Sequence, residues 1–156
     1  MVSCGQPSDN KPTKEVKTTE SNKQQDNIPS NIALKFINLY VDNCNKMKAS
    51  VGIIEWVNSN NLTTSHFKIE LKSILDEANK IDPDMGLDVD PIFDAQDYPE
   101  KGFELESFND KTNFIIVKGK NWPDFKLTLK MVLENNNWLV DGCGIINISK
   151  DKPPAR

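Results

Sequence analysis

The sequence predicts an α+β domain in which about three N-terminal helices pack on one face of a curved, four-stranded antiparallel sheet. Three observations carry that expectation. Apolar residues recur at helical spacing between Ala33 and Ile81, and at strand-like alternation between Phe103 and Ile146. The strand-like runs are joined by short segments rich in Asn, Asp and Pro, as in a meander of hairpins. The texture changes once, at Asp82-Pro83, so helices and strands are segregated rather than interleaved, the pattern of helices gathered on one sheet face.

Taken in order, Ser30 or Asn31 is placed to cap the first helix, since their side-chain oxygens can accept from its first free N–H groups. Ala33, Phe36, Ile37, Tyr40, Cys44 and Met47 then form one apolar stripe. A short second helix follows over Ser50–Asn58 and stops at the polar run Asn58-Ser59-Asn60-Asn61. Thr63, Thr64 and Ser65 offer caps for a third helix, with Phe67, Leu71, Ile74, Leu75, Ala78 and Ile81 on one face. It ends at Asp82, because a proline disfavours helical geometry in the residue before it. An acidic loop, Asp82–Gly102, leads to four strands: Phe103–Phe108, Phe114–Gly119, Phe125–Glu134 and Trp138–Ile146. The third alternates most cleanly, with Phe125, Leu127, Leu129, Met131 and Leu133 on one side. Asn121-Trp122-Pro123-Asp124 and Asn135-Asn136-Asn137 read as turns. A bent sheet wrapped on a helix makes a cone whose mouth is a natural pocket.

Among the 156 residues only 37% are apolar, and the deficit is concentrated at the start. Between Gly5 and Asn27, Val16 is the one sizeable apolar side chain. Such a stretch cannot bury enough surface to offset the roughly 1–2 kcal/mol per residue that backbone ordering costs. Residues 1–28 are therefore expected to be a disordered tether, 29–149 a single domain, and 150–156 a disordered tail. Met1-Val2-Ser3-Cys4-Gly5 resembles the end of a bacterial lipoprotein signal peptide, where small residues precede a cysteine that accepts diacylglycerol. It lacks the basic and apolar regions that precede that box. The resemblance implies lipidation at Cys4 and a lipid-anchored protein of the bacterial cell envelope. A flexible leash of about 24 residues would reach ~25–30 Å.

The loop sequence Asp88-Val89-Asp90-Pro91-Ile92-Phe93-Asp94-Ala95-Gln96-Asp97-Tyr98-Pro99 resembles the signature of an uncharacterised bacterial lipoprotein family, catalogued as a domain of unknown function, with Asp-Pro followed by Gln-Asp ahead of the sheet. Members of that family resemble cystatin-like and nuclear-transport-factor-like cone folds. The resemblance spans about Asn31 to Ile148, with its specific part in the loop. It implies an envelope lipoprotein and a cone-like fold, and no reaction.

Net charge is −4, which argues against non-specific nucleic-acid binding. The acids are clustered: nine lie between Asp76 and Glu100 against the single base Lys80, a surface suited to a basic protein partner, as in an inhibitor or immunity factor. Their spacing does not match an EF-hand calcium loop: no Gly falls sixth from Asp82, and Phe93 falls twelfth. No metal and no cofactor is expected. The candidate binding residues are Asp88, Asp90, Asp94, Gln96, Asp97 and Tyr98 in the loop, Tyr40 on the first helix, and Trp122 at a hairpin tip. Trp56 and Trp138 read as core. The alternative is a small-ligand binder or an isomerase-like enzyme using a pocket carboxylate as base, with Tyr40 or Tyr98 as oxyanion donor. His66 stands alone and reads as exposed and idle. Cys44 and Cys143 remain beside Cys4. Two free thiols and a Cys44–Cys143 disulfide are both open, the latter closing a loop worth about 4.7 kcal/mol in chain entropy.

Overall fold

The first helix opens on a proline. In the computed structural model, which describes residue 5 and residues 27–151, α1 spans Pro29–Cys44 behind an extended Ile28. Cys4, most of the expected tether and residues 152–156 lie outside the described residues. Neither Ser30 nor Asn31 caps the helix as expected. Proline already has helical φ and no N–H to satisfy, so the helix begins at Pro29, ahead of both expected caps and without a side-chain cap. The apolar stripe of α1 buries Ala33, Phe36, Ile37, Tyr40 and Val41. It stops at Cys44, and Met47, expected on the same stripe, is 76% exposed in a 3-10 turn over Met47–Ala49. The cause is Asn43, which is buried. Its amide donates to Val51 O (2.8 Å) and accepts from Val51 N (3.0 Å), folding the chain back on itself.

Helix α2 (Ile53–Ser59) sets Trp56 against Phe36 and Tyr40, with ring centroids 5.6 and 4.8 Å apart. Helix α3 (Ser65–Ile81) starts at Thr64, whose hydroxyl accepts from Phe67 N at 3.0 Å, a standard N-cap. It buries Phe67 and Leu71, with Ile74 and Leu75 partly covered. Ile81, expected on that face, is 87% exposed in the last turn before Asp82-Pro83.

Four strands follow in the order β1-β2-β3-β4, every neighbour antiparallel: β1 (Phe103–Asn109), β2 (Phe114–Gly119), β3 (Lys126–Glu134) and β4 (Asn137–Cys143). The described residues thus form an α+β fold, with three α-helices packed on an open four-stranded antiparallel sheet. Helix α1 lies across all four strands. Leu127, Leu129 and Met131 point into the core, whereas Leu133 is exposed where β3 runs past it. Asn135 and Asn136 both have positive φ (50° and 61°), the backbone of a two-residue hairpin turn whose twist matches the strands. The turn is tied to the start of the body: Asn27 Nδ2 donates to Asn136 O (2.7 Å), and Trp138 N donates to Asn27 Oδ1 (3.1 Å).

Two bulges interrupt the ladder, one between Leu105 and Ser107, the other where Lys130 pairs with Gly142 and Met131 with Val140, leaving Asp141 as the extra residue. β4 ends at Cys143, short of the expected Ile146. Gly144 turns the chain with φ 61°, and Cys143 and Ile146 bond to each other across the turn.

Candidate functional site

The Asp-Pro loop folds around its own carboxylate. Asp90 Oδ1 accepts from Ile92 N (2.8 Å) and Phe93 N (3.1 Å), Asp94 N donates to Asp90 O (2.7 Å), and Asp90 N donates to Ala95 O (3.0 Å). Pro91 between them has no N–H to satisfy, so the Asp90–Ala95 turn closes with its donors paired. What the turn presents inward is apolar: Pro91, Ile92 and Phe93 are all buried. Ile145 N donates to Pro91 O (3.0 Å) and the Cys143 thiol to Ile92 O (3.4 Å), seating the loop on the end of β4. The seat needs a glycine. A Cβ on Gly144 would lie 2.3 Å from Pro91 O and 2.4 Å from Ile92 O.

Phe93 joins a column of rings through the body. Its centroid lies 5.0 Å from Tyr40, 4.8 Å from Tyr98 in a stacked pair, and 6.2 Å from Phe103. Phe103 continues to Phe125 (5.9 Å) and Phe125 to Trp122 (5.1 Å). At its heart the Tyr40 hydroxyl donates to Asp90 Oδ2 at 2.5 Å, and Tyr40 is only 2% exposed. Burial pushes the Asp90 carboxyl above its ordinary range, against the opposing pull of the Tyr40, Phe93 and Ile92 donors. Burial and the neighbouring Asp90 charge push the Tyr40 hydroxyl up as well, so it remains a donor. The same two causes, with burial first, move Cys44 up to about 11. Asp90 and Tyr40, one of the two candidate oxyanion donors, are thus bonded to each other.

Of the other loop residues, Asp88, Gln96 and Asp97 face outward. Asp88 O accepts from Gln96 Nε2 (3.3 Å), Gln96 and Asp97 are exposed, and Asp94 sits in the left-handed region with φ 51°. Tyr98 stacks on Phe93 while its hydroxyl donates to Asn45 Oδ1 (3.1 Å). Trp122 is 44% exposed, edge-on to Phe125. Its hairpin touches the end of the loop, since Lys101 N donates to Asn121 Oδ1 (3.3 Å) and Gly119 leaves no room for a Cβ between Pro99 and Trp122 O. The structure therefore gathers Tyr40, Asp90 and Tyr98 in one column, with Trp122 at its far end, and leaves Asp88, Gln96 and Asp97 at the surface.

Cys44 and Cys143 are both free thiols. The Cys143 thiol is directed at Ile92 O, and Cys44 lies beside Tyr40. Among the described residues, no three His, Cys, Asp or Glu side chains are grouped to hold a metal ion, and no helix is long and apolar enough to cross a membrane.

A second polar centre went unread in the sequence. Asp141, lifted by the bulge and buried, accepts from Thr64 Oγ1 (2.8 Å) and Lys130 Nζ (2.8 Å), and His66 Nδ1 lies 3.1 Å from the carboxylate. Asn147 Nδ2 adds a bond to Asp141 O (2.7 Å). Burial alone would raise the Asp141 carboxyl; the Lys130, Thr64 and His66 bonds outweigh it and hold the group below its ordinary range. His66, expected to be idle, is exposed yet anchored through one ring nitrogen. The available signal was a charged residue between Val140 and Gly142 in an otherwise apolar strand, since a buried charge requires partners.

No protein-family model, curated protein or solved structure matches the chain. The resemblance of the Asp-Pro…Gln-Asp segment to the lipoprotein family rests on those loop residues themselves.

Proposed function

We propose that this chain is a bacterial envelope lipoprotein, anchored through a lipid on Cys4, that works as a non-enzymatic interaction domain through its acidic loop. One observation carries the reading: the loop turns Pro91, Ile92 and Phe93 inward as a plug with the Asp90 carboxylate, and leaves most of its other carboxylates outside. Asp82, Asp84, Asp88, Asp97 and Glu100 are exposed, and the large side chains Ile81 and Met85 are exposed among the first of them. Apolar groups rimmed by charge of one sign suit a basic protein partner, with the charge speeding encounter and the apolar groups adding buried area. Tyr40, one of the two donors of the isomerase-like alternative, is buried in the core.

The experiment is a pull-down from envelope extract with the intact protein, beside a variant carrying Asp82→Asn, Asp84→Asn and Asp88→Asn. The reading expects a retained protein whose capture weakens as salt rises from about 0.05 to 0.5 M, over which screening shortens to a few ångströms, and which the neutralised variant loses. Capture indifferent to both changes, or no capture, refutes it. Mass spectrometry of the mature protein tests the anchor: an acylated Cys4 is expected, and an unmodified Cys4 contradicts it.

A further inference from the structure

At the opposite end of α1 from the acidic loop lies a groove that this reading does not use. Asn45, just past the C-terminus of α1, bonds to Glu100 O (2.9 Å), whereas the groove is lined by Asn27, Ile32 and Lys35 around the helix N-terminus. A 16-residue helix separates the two by about 24 Å. The groove holds ≈ 720 Å³ and is closed on its other sides by Asn61 and Leu62 before α3 and by the β3–β4 hairpin, including Trp138 and Leu139. A cleft of that size suits a small ligand.

Its walls are fixed. Val140 N donates to Leu62 O (2.8 Å) and Thr64 N to Val140 O (3.1 Å), pinning the α2–α3 connection to β4. Asn60 Oδ1 accepts from Leu62 N (2.7 Å), and Asn27 holds the hairpin turn from below. Several of its polar groups, by contrast, are unspent. Among the described residues, the side chains of Lys35, Asn61 and Glu134 make no hydrogen bond or ion pair, and the Trp138 indole donates to nothing. One lysine and one glutamate leave the lining without net charge, which disfavours phosphates and other anions. The side-chain amides of Asn61 and Asn135 are each both donor and acceptor, matching hydroxyl groups that are also both, whereas Asn27 and the Asn137 NH₂ are held by the hairpin. Trp138 with Ile32, Leu62 and Leu139 supplies an apolar surface for the C–H face of a ring.

We infer that this groove is a binding site for a neutral saccharide of one or two rings, seated against Trp138 and hydrogen-bonded by the surrounding amides. Its preformed walls mean that little ordering opposes binding. The test is a titration of the full-length ¹⁵N-labelled protein with N,N′-diacetylchitobiose and, separately, cellobiose. Saturable shifts of the Trp138 indole N–H and the Asn61 side-chain amide with either sugar are expected, with the Asp82–Gly102 loop unmoved. Trp138→Ala is expected to weaken binding about tenfold or more. Because Trp138 also packs on the core, the exposed Asn61→Ala is the second variant, expected to weaken binding several-fold while the spectrum stays folded. No saturable shift with either sugar up to about 10 mM, shifts centred on Trp122, or binding unchanged in Asn61→Ala overturns the assignment; a millimolar Kd corresponds to the weakest specific binding worth the name.

Discussion

Replacing Asp90 by Ala removes the acceptor for three groups at once: the Tyr40 hydroxyl at 2.5 Å and the backbone N–H groups of Ile92 and Phe93 at 2.8 and 3.1 Å. A buried donor left without a partner costs about 1–3 kcal/mol. The three together come to roughly 3–5 kcal/mol, once the relief of a desolvated carboxylate and some entry of water are allowed for. That is a large part of the 5–15 kcal/mol typical of a domain. Asp90→Asn is different. The amide oxygen still accepts from the two backbone groups, and its NH₂ can donate to Tyr40, whose hydroxyl turns to accept. Its cost is expected to stay within about 1 kcal/mol. Urea unfolding at pH 7 measures both, with midpoints shifted by roughly 2 M and under 0.5 M respectively and little change in slope. A double-mutant cycle with Tyr40→Phe should return a coupling of about 1–3 kcal/mol for the pair. If Asp90→Ala costs under about 1 kcal/mol, or Asp90→Asn costs as much as Asp90→Ala, the loop is not organised by this carboxylate and the reasoning fails.

Gly144→Ala places a Cβ against Pro91 O and Ile92 O at φ 61°, so it is expected to destabilise by about 3 kcal/mol or more in the same urea assay. The two buried acids respond oppositely to pH. Asp141, held below its ordinary 3.8, contributes stability that is present above that value and lost as pH falls through the lower folded one; Asp90, held above 3.8, contributes stability that is full below 3.8 and lost as pH rises through its folded value. The deficit of Asp141→Asn relative to wild type should therefore shrink as unfolding is measured from about pH 7 down to about pH 3, while that of Asp90→Asn should grow. A thiolate-directed reagent at about pH 8 should label Cys44 slowly, because its thiol titrates near 11, and Cys143 only on unfolding; rapid modification of Cys143 in the folded protein contradicts its burial.

Local signals in the sequence were enough for the architecture. The cap at Thr64 forms as expected, the β3 alternation holds from Leu127 to Met131, and the last hairpin turns on Asn135 and Asn136, with Asn137 already in β4; each acts within a few residues. The errors at element ends have local causes too. Met47 leaves the α1 stripe because Asn43 reaches eight residues along to Val51, and the last strand stops early because Gly144 must turn over the loop. The candidate site was legible in its membership but not in its orientation. Asp90, Tyr40 and Tyr98 stood out as residue types, yet nothing local says that Tyr40 and Asp90, 50 residues apart, meet in the core. The Asp141 centre was hidden for the same reason: Thr64 lies 77 residues away, and a bulge, which carries no signature of its own here, aims the carboxylate.

Amide hydrogen exchange bears on the role of the Asp-Pro loop most directly. The N–H groups of Ile92, Phe93 and Ile145 all bond within or onto that loop. If the loop is part of the core, they should exchange only with global unfolding, at the same opening free energy as Leu127 and Leu129 in β3. Exchange several kcal/mol easier than in β3 would mean that the loop lifts away from an open pocket, and would contradict the account.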